Sequence, residues 1–215
     1  MGKMFSGILG GFTGTVGTVI GSSNRNGDDL IRVKSKKPRN SNSKGQANQR
    51  TKFGLVTAFM QAINFILKFS FKQVAGDAMT PYNYACQYAL KNAIAGEAPD
   101  FELDYSKVLI SEGPLSREAV ASAQKLENKI SFSWDDISEN GLCEPNDKAV
   151  MVVYNVDKAE ISYSDGAVTR GSKTGTLSLP YAETGDNLLF YLYFRSENDP
   201  TIVSTSQYLG SLTVS

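Results

Sequence analysis

The sequence predicts an α+β protein, with an N-terminal β-hairpin and two helices followed by an all-β sandwich. Three observations carry this. Apolar residues recur at i, i+3, i+4 and i+7 between Gln49 and Lys72, the period of a helix with a buried face. From Leu103 onward the chain turns to short alternating runs separated by turn residues, as in "NKISFSWDD", the rhythm of stacked sheets. An Asn26-Gly27 dipeptide also stands between two apolar segments near the start, a strong hairpin signal. These place a boundary between residues 102 and 103. Residues 1–102 hold the hairpin, the helices and a basic loop over 34–50, and residues 103–215 hold the sandwich.

The first element is "SGILGGFTGTVGTVIGS", Ser6 to Ser22, apolar and rich in glycine. As a secretory signal it has only Lys3 before it, no leucine-rich core and six glycines within Gly7–Gly21. As a membrane span it falls short of the roughly 20 apolar residues required. Each glycine also opposes a helix by about 1 kcal/mol relative to alanine. It has neither GxGxxG nor GK[ST], so it is no phosphate loop. A strand remains. Thr13, Thr15, Val16, Thr18, Val19 and Ile20 are β-branched, "SSNRNGDD" is the turn, and "LIRVKS" returns, so Phe12–Ser35 reads as one hairpin. Glycine within it permits close approach of another backbone. The candidate assembly strand comprises Phe5, Ile8, Leu9, Phe12, Val16, Val19 and Ile20.

The loop that follows is basic. Arg32, Lys34, Lys36, Lys37, Arg39, Lys44 and Arg50 face no acidic residue in that stretch. They are candidate contacts to phosphates or to an acidic protein surface. No aromatic residue lies between Leu30 and Arg50, so base stacking is not expected. The first helix is then read over Gln49–Lys72, with Phe65, Phe69 and Phe71 widening its apolar face. The second has Thr80 as N-cap, Pro81 in its first turn and Gly96 as its stop. Asn83, Gln87 and Lys91 lie on its wet side.

Seven strands follow: "DYSKVLISEG", "NKISFSWDD", "DKAVMVVYN", "KAEISYSD", "KTGTLSLP", "NLLFYLYFRSE" and "SQYLGSLTVS". Trp134 is placed in the core between sheets. "TLSLPYAETGDNLLFYLYF" reads as the passage between the two sheets of an immunoglobulin or fibronectin-type-III-like sandwich. Phe190, Tyr191, Tyr193 and Phe194 make that strand apolar on both faces, one for the core and one for the helices, a second subunit or a ligand.

Charge and composition narrow the function. The chain has 22 basic and 22 acidic residues, but residues 1–72 hold 12 basic against 2 acidic and residues 73–215 hold 10 against 20. A basic front and an acidic back suit an anionic partner or head-to-tail attraction between copies. Histidine is absent, which removes Ser-His and Cys-His relays and most zinc sites. Cys86 and Cys143 read as free thiols. The acidic groups Asp135, Asp136 and Glu139, and Glu97, Asp100, Glu102 and Asp104, lack EF-hand spacing and read as polar turns. No catalytic residue, cofactor or metal ligand is assigned.

The blocks "GILGGFTGTVGTVIG", "NQRTKF", "YNYACQYALKNAIAG", "DFELDYSKVLISEG" and "DKAVMVVYN" resemble, in the same order, those of an uncharacterised family of Bacteroidota proteins known only as a domain of unknown function. Many members carry Trp and Gly after the first strand, where this chain has "SSNRNGDD". The resemblance implies a small bacterial protein with a hairpin–helix front and an Ig-like back. It implies no activity.

The expected function is therefore a non-enzymatic structural or self-assembly subunit of a filament, a surface layer or a phage-like particle. It would associate through the glycine-rich strand and the front-to-back charge complementarity, as a homo-oligomer or larger assembly. The alternative is a nucleic-acid-binding protein using residues 32–50, and the second alternative a carbohydrate-binding module using the sandwich loops. No membrane span or small-molecule substrate is expected. The expected location is the cytoplasm or an assembled particle, with export by other means left open.

Overall fold

The computed structural model describes residues 2–4, 12–24, 27–35, 43–77, 79–117, 120–126, 129–135 and 142–214, with side chains from residue 12 onward. These residues form an α+β chain that separates into two compact units, Met1–Gln46 and Ala47–Ser215. The boundary expected after residue 102 falls inside the second unit.

The first unit is an antiparallel sheet of β1 (Gly2–Met4), β2 (Gly14–Val16), β3 (Val19–Ser23) and β4 (Asp29–Val33), in the order β1-β4-β3-β2. The single strand expected over Phe12–Ile20 is thus two strands. The chain reverses at Gly17-Thr18, where Val16 pairs with Val19 and Gly17 has φ +59°. Glycine at the first central position of a two-residue turn is what a type II′ hairpin demands. The second reversal is the expected one. Asn24 closes it through its amide oxygen, which accepts the Asp28 N–H at 2.9 Å, and Gly27 has φ +80°. Asn26 itself lies outside the described residues.

The second unit begins with helices. α1 (Lys44–Ala62), α2 (Asn64–Ser70) and α3 (Lys72–Ala75) replace the single helix expected over Gln49–Lys72, and α1 and α2 meet at 84°. The reason is length. A straight helix over 44–70 would run about 40 Å, against about 26 Å for an eight-residue strand. By bending at Ile63 the chain keeps Val56, Phe59, Met60, Ile63, Ile66, Leu67 and Phe71 all buried. α4 (Pro81–Asn92) starts as expected, with the Thr80 hydroxyl accepting the Asn83 N–H at 3.2 Å. It ends at Asn92 and not at Gly96. Gly96 instead lies in β5 (Ile94–Glu97), which pairs with β6 (Asp100–Leu103). A side chain there would meet the Asp100 carbonyl.

Two antiparallel sheets complete this unit. One has the order β11-β8-β7, from β7 (Ala121–Leu126), β8 (Lys129–Trp134) and β11 (Thr174–Ser178). The other has the order β10-β9-β12-β13, from β9 (Lys148–Asn155), β10 (Glu160–Thr169), β12 (Asn187–Arg195) and β13 (Gln207–Thr213). Alternation sorts the side chains. Ala149, Met151 and Val153 of β9 and Leu188, Phe190, Leu192 and Phe194 of β12 share one core with Ile130, Phe132, Trp134 and Leu177. Val150, Val152, Tyr154, Leu189, Tyr191 and Tyr193 point the other way and share a second core with the helices. Burial on both faces explains why β9 and β12 read as near-continuous apolar runs.

The segment "DYSKVLISEG", expected as a strand, is a 3₁₀ turn (Tyr105–Lys107) followed by an irregular strap. It is held by buried serines in place of a ladder. Ser206 Oγ accepts the N–H groups of Ile110 (2.9 Å) and Ser111 (3.3 Å), Ser111 Oγ donates to the Ser204 carbonyl, and Ser70 Oγ donates to the Ile110 carbonyl. These bonds satisfy polar backbone that the strap buries without strand partners. The strap also receives the Tyr191 hydroxyl, which donates to the Tyr105 carbonyl at 2.9 Å.

Candidate functional site

The first unit owes its character to register. Val16 pairs with Val19 and Val19 with Val33, while Gly14 pairs with Gly21 and Gly21 with Ile31. Residues opposite one another, and those two apart, share a face. One face therefore carries the row Val16–Val19–Val33 with Ile31 beside it. Phe12 lies over Gly21 on this face, and a Cβ at Gly21 would sit 2.2 Å from the Phe12 carbonyl oxygen. That is the close backbone approach expected of the glycines. Gly21 is the only buried residue among those described here, while Val16 is 67% and Val33 80% exposed. The edge strand β2 is exposed along its whole length. Of the candidate assembly residues, Phe12, Val19 and Ile20 are half-buried and Val16 is exposed. Phe5, Ile8 and Leu9 lie outside the described residues.

The opposite face is basic. Arg32 pairs with Ile20 on that side, and Lys34, two residues on, continues the pairing by donating its N–H to the Thr18 carbonyl at 2.8 Å. Both side chains are exposed. Lys44 opens α1 and Arg50 lies further along it, also exposed. Lys36, Lys37 and Arg39 fall outside the described residues. Arg32, Lys34 and Lys44 belong to the first unit and Arg50 to the second.

Two clefts of the second unit border its helical layer and its four-stranded sheet. A cavity of about 490 Å³ lies between α2 and the four-stranded sheet, walled by Phe65, Phe69, Tyr163, Tyr193 and Pro200 with Arg195. Phe65, Phe69 and Tyr163 remain 40–48% exposed, and the Phe65 and Tyr163 rings stand 4.7 Å apart. Tyr191 and Tyr193 meet the helical layer, one of the destinations open to them in the sequence. The other cleft, about 520 Å³, runs between α1 and the β5–β6 hairpin over Leu55, Leu103, Tyr105, Tyr154 and Val156. Burial pushes the Tyr105 and Tyr154 hydroxyls above the ordinary phenol range, so its floor stays neutral. Glu97 pairs with Asp100 and Ala95 with Glu102, which puts three exposed carboxylates on one face of the hairpin. Sequence reasoning missed this hairpin. Its signal is the Gly96 and Pro99 punctuation, of which the sequence reading uses Gly96 alone, as the stop of a helix.

Cys86 is buried, and desolvation raises its thiol above the ordinary range; Cys143 is half-buried and unbridged. Among the described residues no three metal-ligating side chains converge; Asp136 and Glu139 lie outside them. Nor is any single described helix long and apolar enough to cross a membrane. α1 and α2 together meet the length and composition required but are bent by 84°.

A family profile described as a family of unknown function, DUF6266, matches residues 11–210, nearly the whole chain. The chain belongs to that family. Comparison with curated proteins and with solved structures gave no match. Membership agrees with the resemblance read from the sequence blocks and brings no activity with it.

Proposed function

We propose that the protein is a non-enzymatic, self-assembling structural subunit of a filament, surface layer or phage-like particle, and that its N-terminal sheet is the associating element. The observation that carries this is the row Val16–Val19–Val33, exposed at Val16 and Val33 and ending in the exposed edge strand β2. Apolar faces and open edges of this kind are liabilities that monomeric proteins blunt. The charge division supports it. Residues 1–46 hold eight Lys/Arg against two Asp, and residues 47–215 hold fourteen against twenty Asp/Glu, so the units carry +6 and −6. In this reading the sandwich follows the fibronectin-type-III arrangement. Its first, second and fifth strands share one sheet and its third, fourth, sixth and seventh the other.

The test is light scattering on a sizing column over a concentration series, with the full chain and with residues 1–21 deleted. The full chain is expected to grow in mass with concentration and the deletion to remain monomeric. A full chain that stays monomeric at high concentration overturns the proposal. Arg32 and Lys34 on one face favour the nucleic-acid reading as second. That reading requires affinity for DNA or RNA that falls steeply as salt is raised.

A further inference from the structure

We infer that the groove between α1 and the β5–β6 hairpin is the receiving site for the N-terminal sheet of a second copy of this chain. The inference rests on the assembly reading and names the surface that would accept the sheet. Three properties of the groove select this occupant. Its floor is apolar and concave, from Leu55, Leu103, Tyr154 and Val156, with about 520 Å³ of space. One wall is α1 at Gly54 and Ala58, both exposed, and these residues carry at most a methyl group, so another backbone can come close. Its other wall is the hairpin, which turns Phe101 and Leu103 inward and brings one of its three carboxylates, Glu102, to the lining, with Lys52 Nζ of α1 4.4 Å from the centre of the Phe101 ring.

The complementary object is the first unit. It presents branched apolar side chains in a row on a thin, glycine-spaced sheet, and it carries +6 against the −6 of the unit that holds the groove. Self-pairing of two N-terminal sheets would set +6 against +6, which costs free energy at ordinary ionic strength. Sheet-to-groove docking sets opposite charges together. Such a contact is head-to-tail: the two patches differ, so every docked copy leaves one sheet and one groove open, and the assembly grows or closes as a ring.

Complementation tests this with full-length chains. Val16→Asp spoils the sheet face and leaves the groove; Ala58→Trp fills the groove and leaves the sheet. Both positions are exposed, so both variants are expected to melt like the wild type. Each alone is expected to associate at least about tenfold more weakly than the wild type, as loss of a central contact does. Mixed 1:1, they are expected to form a dimer and nothing larger, because only one intact sheet and one intact groove remain per pair. Glu97→Lys/Glu102→Lys provides a second block of the groove by charge, and its effect is expected to shrink as salt is raised. If the wild type assembles and both groove variants assemble equally well, the groove inference is overturned while the assembly reading stands. A mixture that stays monomeric also overturns it. A wild type that never assembles overturns both.

Discussion

Replacing Asp147 by alanine should unfold the second unit far more readily than a surface acid has any right to. Arg170 and Asp147 are 1% and 2% exposed, and a guanidinium nitrogen stands 3.7 Å from a carboxylate oxygen. Arg170 Nη2 also donates to the Ser116 carbonyl at 3.0 Å, and the guanidinium lies 4.7 Å from the centre of the Phe194 ring. At 3.7 Å the pair is no tight hydrogen bond. Its value lies in setting a carboxylate opposite a buried cation. Removing one member of a buried pair costs about 3–5 kcal/mol. Asp147 also accepts the Glu144 N–H at 2.9 Å, a contact worth about 1 kcal/mol. We therefore predict about 4–6 kcal/mol for Asp147→Ala, or a Tm lower by about 8–24 °C at roughly 2–4 °C per kcal/mol for a unit of this size. Trp134, the sole tryptophan, donates its indole N–H to the Arg170 carbonyl at 2.8 Å, so its fluorescence reports on the site during urea unfolding. In the double variant Arg170→Met/Asp147→Ala no charge remains to be stranded. It should be less destabilised than the sum of the single variants by about 2 kcal/mol or more. Strict additivity, or a loss under about 1 kcal/mol for Asp147→Ala, refutes the buried-charge argument.

Three other predictions concern the parts that frame the candidate surfaces. Ser206→Ala strands the N–H groups of Ile110 and Ser111 and should cost about 2–6 kcal/mol, at about 1–3 for each buried donor, read from urea midpoints. Gly21→Val drives a side chain into the Phe12 carbonyl and ring. Amide exchange across β2–β4 should quicken, whereas the Trp134 unfolding midpoint should stay in place if the units are as separable as their contacts imply. The Asp186 carboxyl is held below its ordinary range by the Glu183 N–H and then by Asn155 Nδ2, and Glu183 by Lys158 and then Tyr181. Folded values below unfolded ones mean the contribution is present above about pH 4 and is lost as pH falls through the lower folded values. Urea midpoints should therefore drop on acidification below about pH 4, less so in Asp186→Asn.

What was legible in the sequence followed alternation. "NKISFSWDD" exposed its buried face because one side of β8 is apolar and the other is serine, and "NLLFYLYFRSE" announced burial on two sides. The N-cap at Thr80 was legible because capping is local. The failures lie where tertiary structure overrules a local pattern. The periodicity of Gln49–Lys72 persists through Ile63 because both segments bury the same kind of face, so nothing in the composition marks the bend. "ASAQKL", to which the sequence reading assigns no element, is an edge strand, β7, selected by its partner β8. "VLISE" has the apolar content of a strand, yet serine side chains supply its hydrogen bonds from residues 70 and 206, far away in the chain. For the candidate site, the glycine-spaced strand and the charge division were legible. The turn at Gly17 and the valine row were not, because both depend on register, and a one-residue slip moves every side chain to the other face.

The helical layer decides where recognition can occur. A two-sheet sandwich ordinarily leaves the outer face of its four-stranded sheet to solvent or to a ligand. Here Val150, Val152, Tyr154, Leu189, Tyr191 and Tyr193 occupy that face and are sealed by Phe59, Ile63, Ile66 and Leu67. Phe59 alone makes edge contacts with Tyr105 and Tyr154 at 5.5 and 5.0 Å between ring centres. Side chains of this size contribute about 1.5–3 kcal/mol each on burial, so the layer does not peel away to admit a partner. The aromatic strand, whose second face the sequence left open to the helices, a second subunit or a ligand, is therefore spent on cohesion. At the margins of the layer apolar surface is open in the aromatic cleft at α2 and the groove at α1, and it is open also on the N-terminal sheet. Of the two margins, the groove at α1 is lined by a carboxylate, Glu102, and the cleft at α2 by a cation, Arg195; net charge therefore favours the groove for a basic sheet.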